Sequence, residues 1–408
     1  MIKLKIPIRK TIFYLLLLTF VGESILKYNG VQWSSNVYGT LASMVGVVLV
    51  PWKFAQVFLL FVLTRYCGPL KKNAITTAGL VLIVFGIVWS FWNFKGLALI
   101  YLNGSPFLLI CFGCVLICAQ QEELRGHMKR TCGILAVFYS LLCFYNSMAF
   151  VISYPGMRMA DGKIIEYFAF GLYLLVIWNS IIERSILRVA IVYLCSALLV
   201  ISSIIITSRG WMLQSVILML FCYMTTSKRS LGGRIYRVLI VAIAGIVLYK
   251  LMISRFGEAT VFLLSRFSED SRSKQLETFF SQVPVWKLLI GQGISATYIF
   301  GSRGSYQYLD NQFLFWMFRY GIVPVTAYLV PFGMVIFKKT NKKINNRSWW
   351  DRRVALFMWL LSMGGLSIYY GLKFDIAHFY MLFAVVMYNQ EAELIKEDEN
   401  NVGLYRAK

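Results

Sequence analysis

The chain has 408 residues, 59% of them hydrophobic and 14% charged, with a formal net charge of +23. So little polar surface excludes a water-soluble globule of this size, and the alternating pattern of a membrane β-barrel is absent. The basic excess lies in short segments between apolar runs, where it acts as an orientation signal rather than as a nucleic-acid footprint.

Apolar runs of roughly 18 residues or more recur along the chain, the length that a bilayer-spanning helix needs. Only helices satisfy their own backbone groups in hydrocarbon, so the expected fold class is all-α integral membrane, with about 12 transmembrane helices. The first run, Thr11 to Leu26, follows Lys3, Lys5, Arg9 and Lys10. A signal peptide begins in the same way, but no small-residue cleavage site follows, so the run is read as the first span. Spans are expected near 11–28, 38–63, 75–94, 97–119, 131–152, 164–182, 186–206, 211–226, 236–253, 311–337, 354–371 and 375–390.

A cytoplasmic N-terminus puts Arg65, Lys71, Lys72, Arg125, Lys129, Arg130, Arg184, Arg188 and the 228–237 and 338–353 basic segments on the inner side. The short outer loops then carry few cations, which supports the orientation. These basic segments also favour anionic membrane lipids. Cys111, Cys114 and Cys118 fall on one helix at three- and four-residue spacing. With no His, Asp or Glu beside them in the span, they read as packing residues rather than as a metal stripe. The chain thus divides into transmembrane helices over 1–253, a large outer loop over 254–310, further spans over 311–390 and a cytoplasmic tail over 391–408.

The outer loop is itself basic, carrying Arg255, Arg266, Arg272, Lys274, Lys287 and Arg303. Long loops escape the positive-inside rule, so these cations need another reason, and a site for an anionic substrate supplies one. Within the loop, Ser268 is an expected N-cap of a helix running to about Gln282, with Glu269 and Asp270 in its first turn. Leu276, Phe279 and Phe280 are its expected apolar stripe, with Arg272 on the same face. Snorkelling along lipid head groups is the other reading of Arg272.

Ser208-Arg209-Gly210 lies at the junction of two apolar runs, with almost no loop around it. A charge at that depth is costly and is usually paired or functional. The N–H groups of the following helix add to the cation and make a phosphate-binding corner, although a boundary anchor also explains Arg209. Asp310-Asn311 opens the tenth span. Asp310 reads equally as an N-cap and as a carboxylate that orients or deprotonates a sugar hydroxyl. Arg319 lies half a helical turn around and deeper, either as an ion-pair partner or lining a cleft.

No Asp-x-Asp pair is present, and Gly291-Gln292-Gly293 lacks the third glycine of a nucleotide site, so it reads as a turn. His127 and His378 are too isolated to propose as ligands. No metal or cofactor is expected.

Ser208-Arg209-Gly210-Trp211 resembles the Ser-Arg-Gly junction of the O-antigen polymerase and O-antigen ligase superfamily. Ser265-Arg266-Phe267, Ser271-Arg272, Leu289-Ile290-Gly291-Gln292-Gly293, Asp310-Asn311-Gln312-Phe313-Leu314 and Arg319-Tyr320-Gly321-Ile322 resemble its outer loop and the span after it, in the same order. The likeness covers roughly residues 200–325. It implies a GT-C-like glycosyltransferase architecture and a metal-independent, inverting glycosyl transfer at the outer face of the bacterial cytoplasmic membrane. The implied substrates are oligosaccharides on undecaprenyl pyrophosphate, and the implied protein partners are flippase and chain-length regulator proteins. By the same resemblance Arg209 and Arg272 hold the pyrophosphate. Ligases usually carry a histidine where this chain has Asp310, which tilts the expectation toward a polymerase of capsule, exopolysaccharide or O-antigen.

The expected site therefore has Arg209, Arg272 and Asp310 as its catalytic residues, and Arg266, Asn311, Arg303, Arg158 and Arg319 as its substrate contacts. A ligase-type transferase and a flippase or transporter for lipid-linked sugars are the alternatives.

Overall fold

The computed structural model describes residues 10–18, 54–66, 72–92, 106–118, 123–153, 162–181, 186–205, 209–226, 271–301, 304–337 and 347–363, with Lys250 and Ala384. The chain is mostly helical. Helical segments cover 10–18 (α1) and Phe54–Arg65 (α2). They are followed by α3 (Ala74–Trp92), α4 (Phe107–Cys118), α5 (Glu123–Ser153), α6 (Gly162–Ile181), α7 (Ile186–Ile205) and α8 (Arg209–Thr226). Then come α9 (Ser271–Gln282), α10 (Val285–Ile290), a two-stranded hairpin of β1 (Tyr298–Ile299) and β2 (Ser305–Tyr306), α11 (Gln312–Tyr320), α12 (Ile322–Ile336) and α13 (Arg347–Leu361).

Among the described residues three helices, Ala74–Trp92, Arg130–Ser153 and Leu187–Ile205, are long and apolar enough to cross a membrane. Shorter apolar helices occupy Phe54–Arg65, Phe107–Cys118, Tyr167–Ser180, Gly210–Phe221 and Ile322–Ile336. With these runs the chain is a multi-pass membrane protein. The expected spans 236–253 and 375–390 lie outside the described residues, apart from Lys250 and Ala384.

The chain divides into two compact units. The first comprises Met1–His127, Phe280–Asn345 and Leu372–Lys408. At its heart, α4 is apolar all round, and such a helix is stable only when surrounded; Leu108 through Cys118 are all buried. α3 packs along it through small residues, with a Cβ at Gly79 meeting the Gly113 carbonyl at 3.0 Å. Close backbone approach of this kind is how helices associate where lipid removes the hydrophobic drive. The opposite face of α3 exposes Leu80, Val84, Ile87, Val88 and Phe91, an apolar surface suited to a bilayer and not to water. Cys111, Cys114 and Cys118 are buried among these helices, and the Cys118 Sγ lies 3.2 Å from the Thr64 Oγ1.

Aromatic rings key α11 and α12 onto α4. Phe112 lies 5.3 Å from both Trp316 and Tyr328, and Tyr328 lies 5.2 Å from Phe332. Such pairs contribute about 0.5–1.5 kcal/mol each beyond the area they bury.

The second unit comprises Met128–Phe279 and Asn346–Gly371. Its core is likewise aromatic. Tyr139 stacks on Phe170 at 4.6 Å, Phe168 stacks on Trp211 at 4.3 Å, and Tyr173 meets Trp359 edge-on at 5.0 Å. The Arg352 Nε donates to the Ser180 carbonyl at 3.5 Å, tying α13 to the end of α6.

Three expectations change. The expected span 311–337 is two helices that meet at Gly321, whose φ of 84° no helix interior accommodates. The loop holds a second short helix, α10, and a β-hairpin beyond the single helix read from its pattern. Finally, the buried stripe of α9 is Gln275 and Phe279, with Leu276 half-buried and Phe280 exposed. At the end of the same helix Gln282 holds the hairpin: its Nε2 donates to the Ile299 carbonyl at 2.9 Å and its Oε1 accepts from the Ile299 N–H at 2.8 Å.

Candidate functional site

The site is built around the start and end of α11. At the start, the N-cap is Asn311 and not Asp310. The Asn311 Oδ1 accepts from the Phe313 and Leu314 N–H groups, both at 3.1 Å. An extended backbone at Asn311, φ −75° and ψ 110°, puts its amide over the first turn. Capping is therefore taken by the neighbour, and Asp310 sits half-buried one residue outside the helix. The Gln312 Nε2 reaches back to the Leu309 and Asp310 carbonyls at 3.2 and 3.3 Å, which knits the turn that presents the carboxylate.

Toward the other end lies Arg319, 1% exposed. A buried guanidinium is costly unless something compensates for its charge. Its Cζ lies 4.2 Å from the centroid of the Phe315 ring, one helical turn back, giving a cation–π contact. It also occupies the last turn of α11, where the negative end of the helix favours a cation. Phe315 in turn stacks against Tyr308 at 6.3 Å, and Tyr308 leads through Tyr306 to Tyr298 and Phe300 of the hairpin. The Tyr298 hydroxyl donates to the Tyr308 carbonyl at 2.9 Å.

A helix C-terminus leaves four carbonyls without intrahelical partners. In α11 all four are satisfied. The Met317 carbonyl accepts from the Gly321 N–H at 2.9 Å, Phe318 from Gln292 at 2.8 Å and Arg319 from Gly293 at 2.9 Å. The Tyr320 carbonyl accepts from the Trp89 Nε1 at 3.3 Å, and the same indole meets the Tyr320 ring edge-on. Thus Gly291-Gln292-Gly293 is a turn whose two N–H groups close the end of the helix that carries Arg319. The approach needs glycine on both sides. A Cβ at Gly291 would come within 2.6 Å of the Gly321 nitrogen, and one at Gly321 within 2.7 Å of the Ile290 and Leu289 carbonyls. Both residues also have positive φ, 91° and 84°.

Arg209 is the first residue of α8, two residues before the Trp211 ring that stacks on Phe168. Arg272 is the second residue of α9. The side chains of Arg209 and Arg272 lie outside the described residues, as do Arg158, Arg266 and Arg303 entirely. The structure therefore brings Asp310, Asn311 and Arg319 onto one helix: a carboxylate outside one end, a cap, and a buried cation near the other end. Trp89, Phe315 and Gln282 support this arrangement without having been singled out by sequence. Phe315 had a usable signal, an aromatic four residues before an arginine in a helix; Trp89, far away in the chain, had none. Among the described residues, no cluster of three or more His, Cys, Asp or Glu stands ready for a metal ion.

No family model, no curated protein and no solved structure matches the chain.

Proposed function

We propose that the protein is a polysaccharide polymerase of the bacterial cytoplasmic membrane, joining oligosaccharide repeat units carried on undecaprenyl pyrophosphate at its outer face. The reading includes about 12 spans in a GT-C-like arrangement and the resemblance to the O-antigen polymerase and ligase superfamily. In the proposed reaction Arg209 and Arg272 hold the pyrophosphate of the donor and stabilise the charge that develops as it leaves. Asp310 orients or deprotonates the acceptor hydroxyl. Holding two lipid-borne substrates side by side supplies proximity. Asn311, Arg319, Arg266, Arg303 and Arg158 are proposed contacts for sugar or phosphate.

The observation that carries this reading is the joint between two motifs of the resemblance. Leu289 through Gly293 and Arg319 through Ile322 lie far apart in sequence, yet the Gly293 N–H donates to the Arg319 carbonyl at 2.9 Å. A loop motif and a span motif that lock backbone to backbone are what a lid fixed to an active-site helix needs. A clean deletion is the test: single lipid-linked repeat units should accumulate and long polymer should vanish, whereas normal polymer would sink the proposal.

One observation favours a second reading, a transporter for lipid-linked oligosaccharides. The break at Gly321 divides an apolar segment into two half-helices, and broken helices mark the substrate sites of many transporters. Repeat units trapped on the inner leaflet in the deletion strain would select that reading.

A further inference from the structure

The short helix α10 buries only Leu288, 3% exposed, among its six residues, and Lys287 is half-buried. Its other four side chains point away from the first unit: Val285 at 64%, Trp286 at 55%, Leu289 at 51% and Ile290 at 65% exposure. The patch does not end with the helix. Gly321 packs against the Leu289 and Ile290 carbonyls, and the next two residues, Ile322 and Val323, are also exposed. Six exposed apolar side chains thus run from α10 onto the first turn of α12.

Three features say what covers them. First, the patch is continuous with α12, one of the shorter apolar helices, Ile322–Ile336. Second, the one charge on α10 is a cation beside an indole, with the Lys287 Nζ 5.8 Å from the centroid of the Trp286 ring. Trp and Lys are the residues that anchor at the head-group level, the ring at the boundary and the ammonium toward anionic lipid. Third, six helical residues rise only about 9 Å, far too short to span but suited to lying in the interface plane.

We infer that α10 is an interfacial anchor: it seats Val285, Trp286, Leu289 and Ile290 in the boundary between head groups and acyl chains of an anionic bilayer, with Ile322 and Val323 continuing the contact. The backbone bonds from Gln292 and Gly293 to Phe318 and Arg319 then hold the end of α11 at that same level. The depth of the anchor sets the depth of the Arg319 turn, whatever reaction the protein performs.

The test uses the full chain in vesicles of phosphatidylcholine and phosphatidylglycerol. Val285→Cys, Leu289→Cys, Ile290→Cys and, as a water-facing reference, Gln292→Cys are each labelled with an environment-sensitive fluorophore. Unsubstituted protein labelled in parallel gives the background from native thiols. Three positions report on one face, so a variant that is not monodisperse is replaced by its neighbour. Shallow spin-labelled lipids should quench the labels at 285, 289 and 290 several times more strongly than the label at 292, and more strongly than deep spin-labelled lipids do. Quenching by aqueous iodide equal to that at 292 would overturn the inference. Protection from both lipid and aqueous quenchers would also overturn it, because a second copy or another part of the chain would then cover the face.

Discussion

The N–H of Gly293 donates to the carbonyl of Arg319 at 2.9 Å, so a turn of the long loop closes the last turn of the helix that carries a fully buried arginine. The loop is thereby fixed to that helix through main-chain bonds, not through side chains. Its integrity rests instead on two glycines.

Gly291→Ala and Gly321→Ala should each lower the apparent melting temperature sharply. The extended positive-φ backbone at both positions costs an L-residue about 1–3 kcal/mol, and in both cases the new Cβ also meets backbone within 3.0 Å. Gly304→Ala is the control, because its φ is also positive, 65°, but nothing lies within 4 Å of the added Cβ. Size-exclusion chromatography after heating should show a small shift for Gly304→Ala and large ones for the other two. Equal shifts for all three would show that the close approach is not what matters.

Asn311 and Asp310 are adjacent residues with separable roles. Asn311→Ala removes the acceptor of two backbone bonds and should cost roughly 0.5–2 kcal/mol of stability, while Asn311→Ser retains most of it. Asp310→Asn leaves the two Asn311 cap bonds in place, so it should cost less stability than Asn311→Ala and should stop chain extension, if the carboxylate faces the acceptor hydroxyl. A stability loss in Asp310→Asn that matches Asn311→Ala would contradict this division.

Phe315→Leu keeps an apolar side chain but removes the ring face beneath Arg319. Cation–π contacts are worth about 0.5–2 kcal/mol depending on desolvation, so a moderate fall in the melting temperature is expected. In an Arg319→Met background the same substitution should cost less, which a double-mutant cycle measures. Equal costs in both backgrounds would show that the ring does not act through the arginine.

Gln282→Ala breaks the two-bond clasp on Ile299 and should make the hairpin more open to protease than in the parent protein. Gln282→Glu keeps the acceptor for the Ile299 N–H but loses the donor to its carbonyl, so it should fall between the two. A cleavage rate in Gln282→Ala equal to that of the parent would show that the clasp does not hold the hairpin.

The spans were legible where length and charge carry the signal: 75–94 and 186–206 were expected, and helices run over Ala74–Trp92 and Ile186–Ile205. The break at Gly321 was not legible, because 311–337 is long enough for a single span and the positive φ of the glycine goes with the close approach of Ile290 and Gly291, which no local pattern shows. α10 and the hairpin are six- and two-residue elements, below the length at which periodicity reads. Asp310 was identified as the end of the loop, but local sequence does not decide which of two adjacent capping residues turns its side chain inward. Arg319 was noticed as a charge in a span; Trp89, which closes the last carbonyl of its helix, belongs to a distant helix and leaves no trace in the local pattern.

Chain extension on a pyrophosphate carrier, the proposed reaction, is tested most directly by the length distribution of surface polysaccharide in a deletion strain carrying Arg209→Ala or Arg272→Ala. Membrane insertion and protein level are checked alongside. Either variant should give single lipid-linked repeats and no long polymer, with the parental ladder restored by the wild-type gene. A normal ladder from both alanine variants would contradict the proposed reaction.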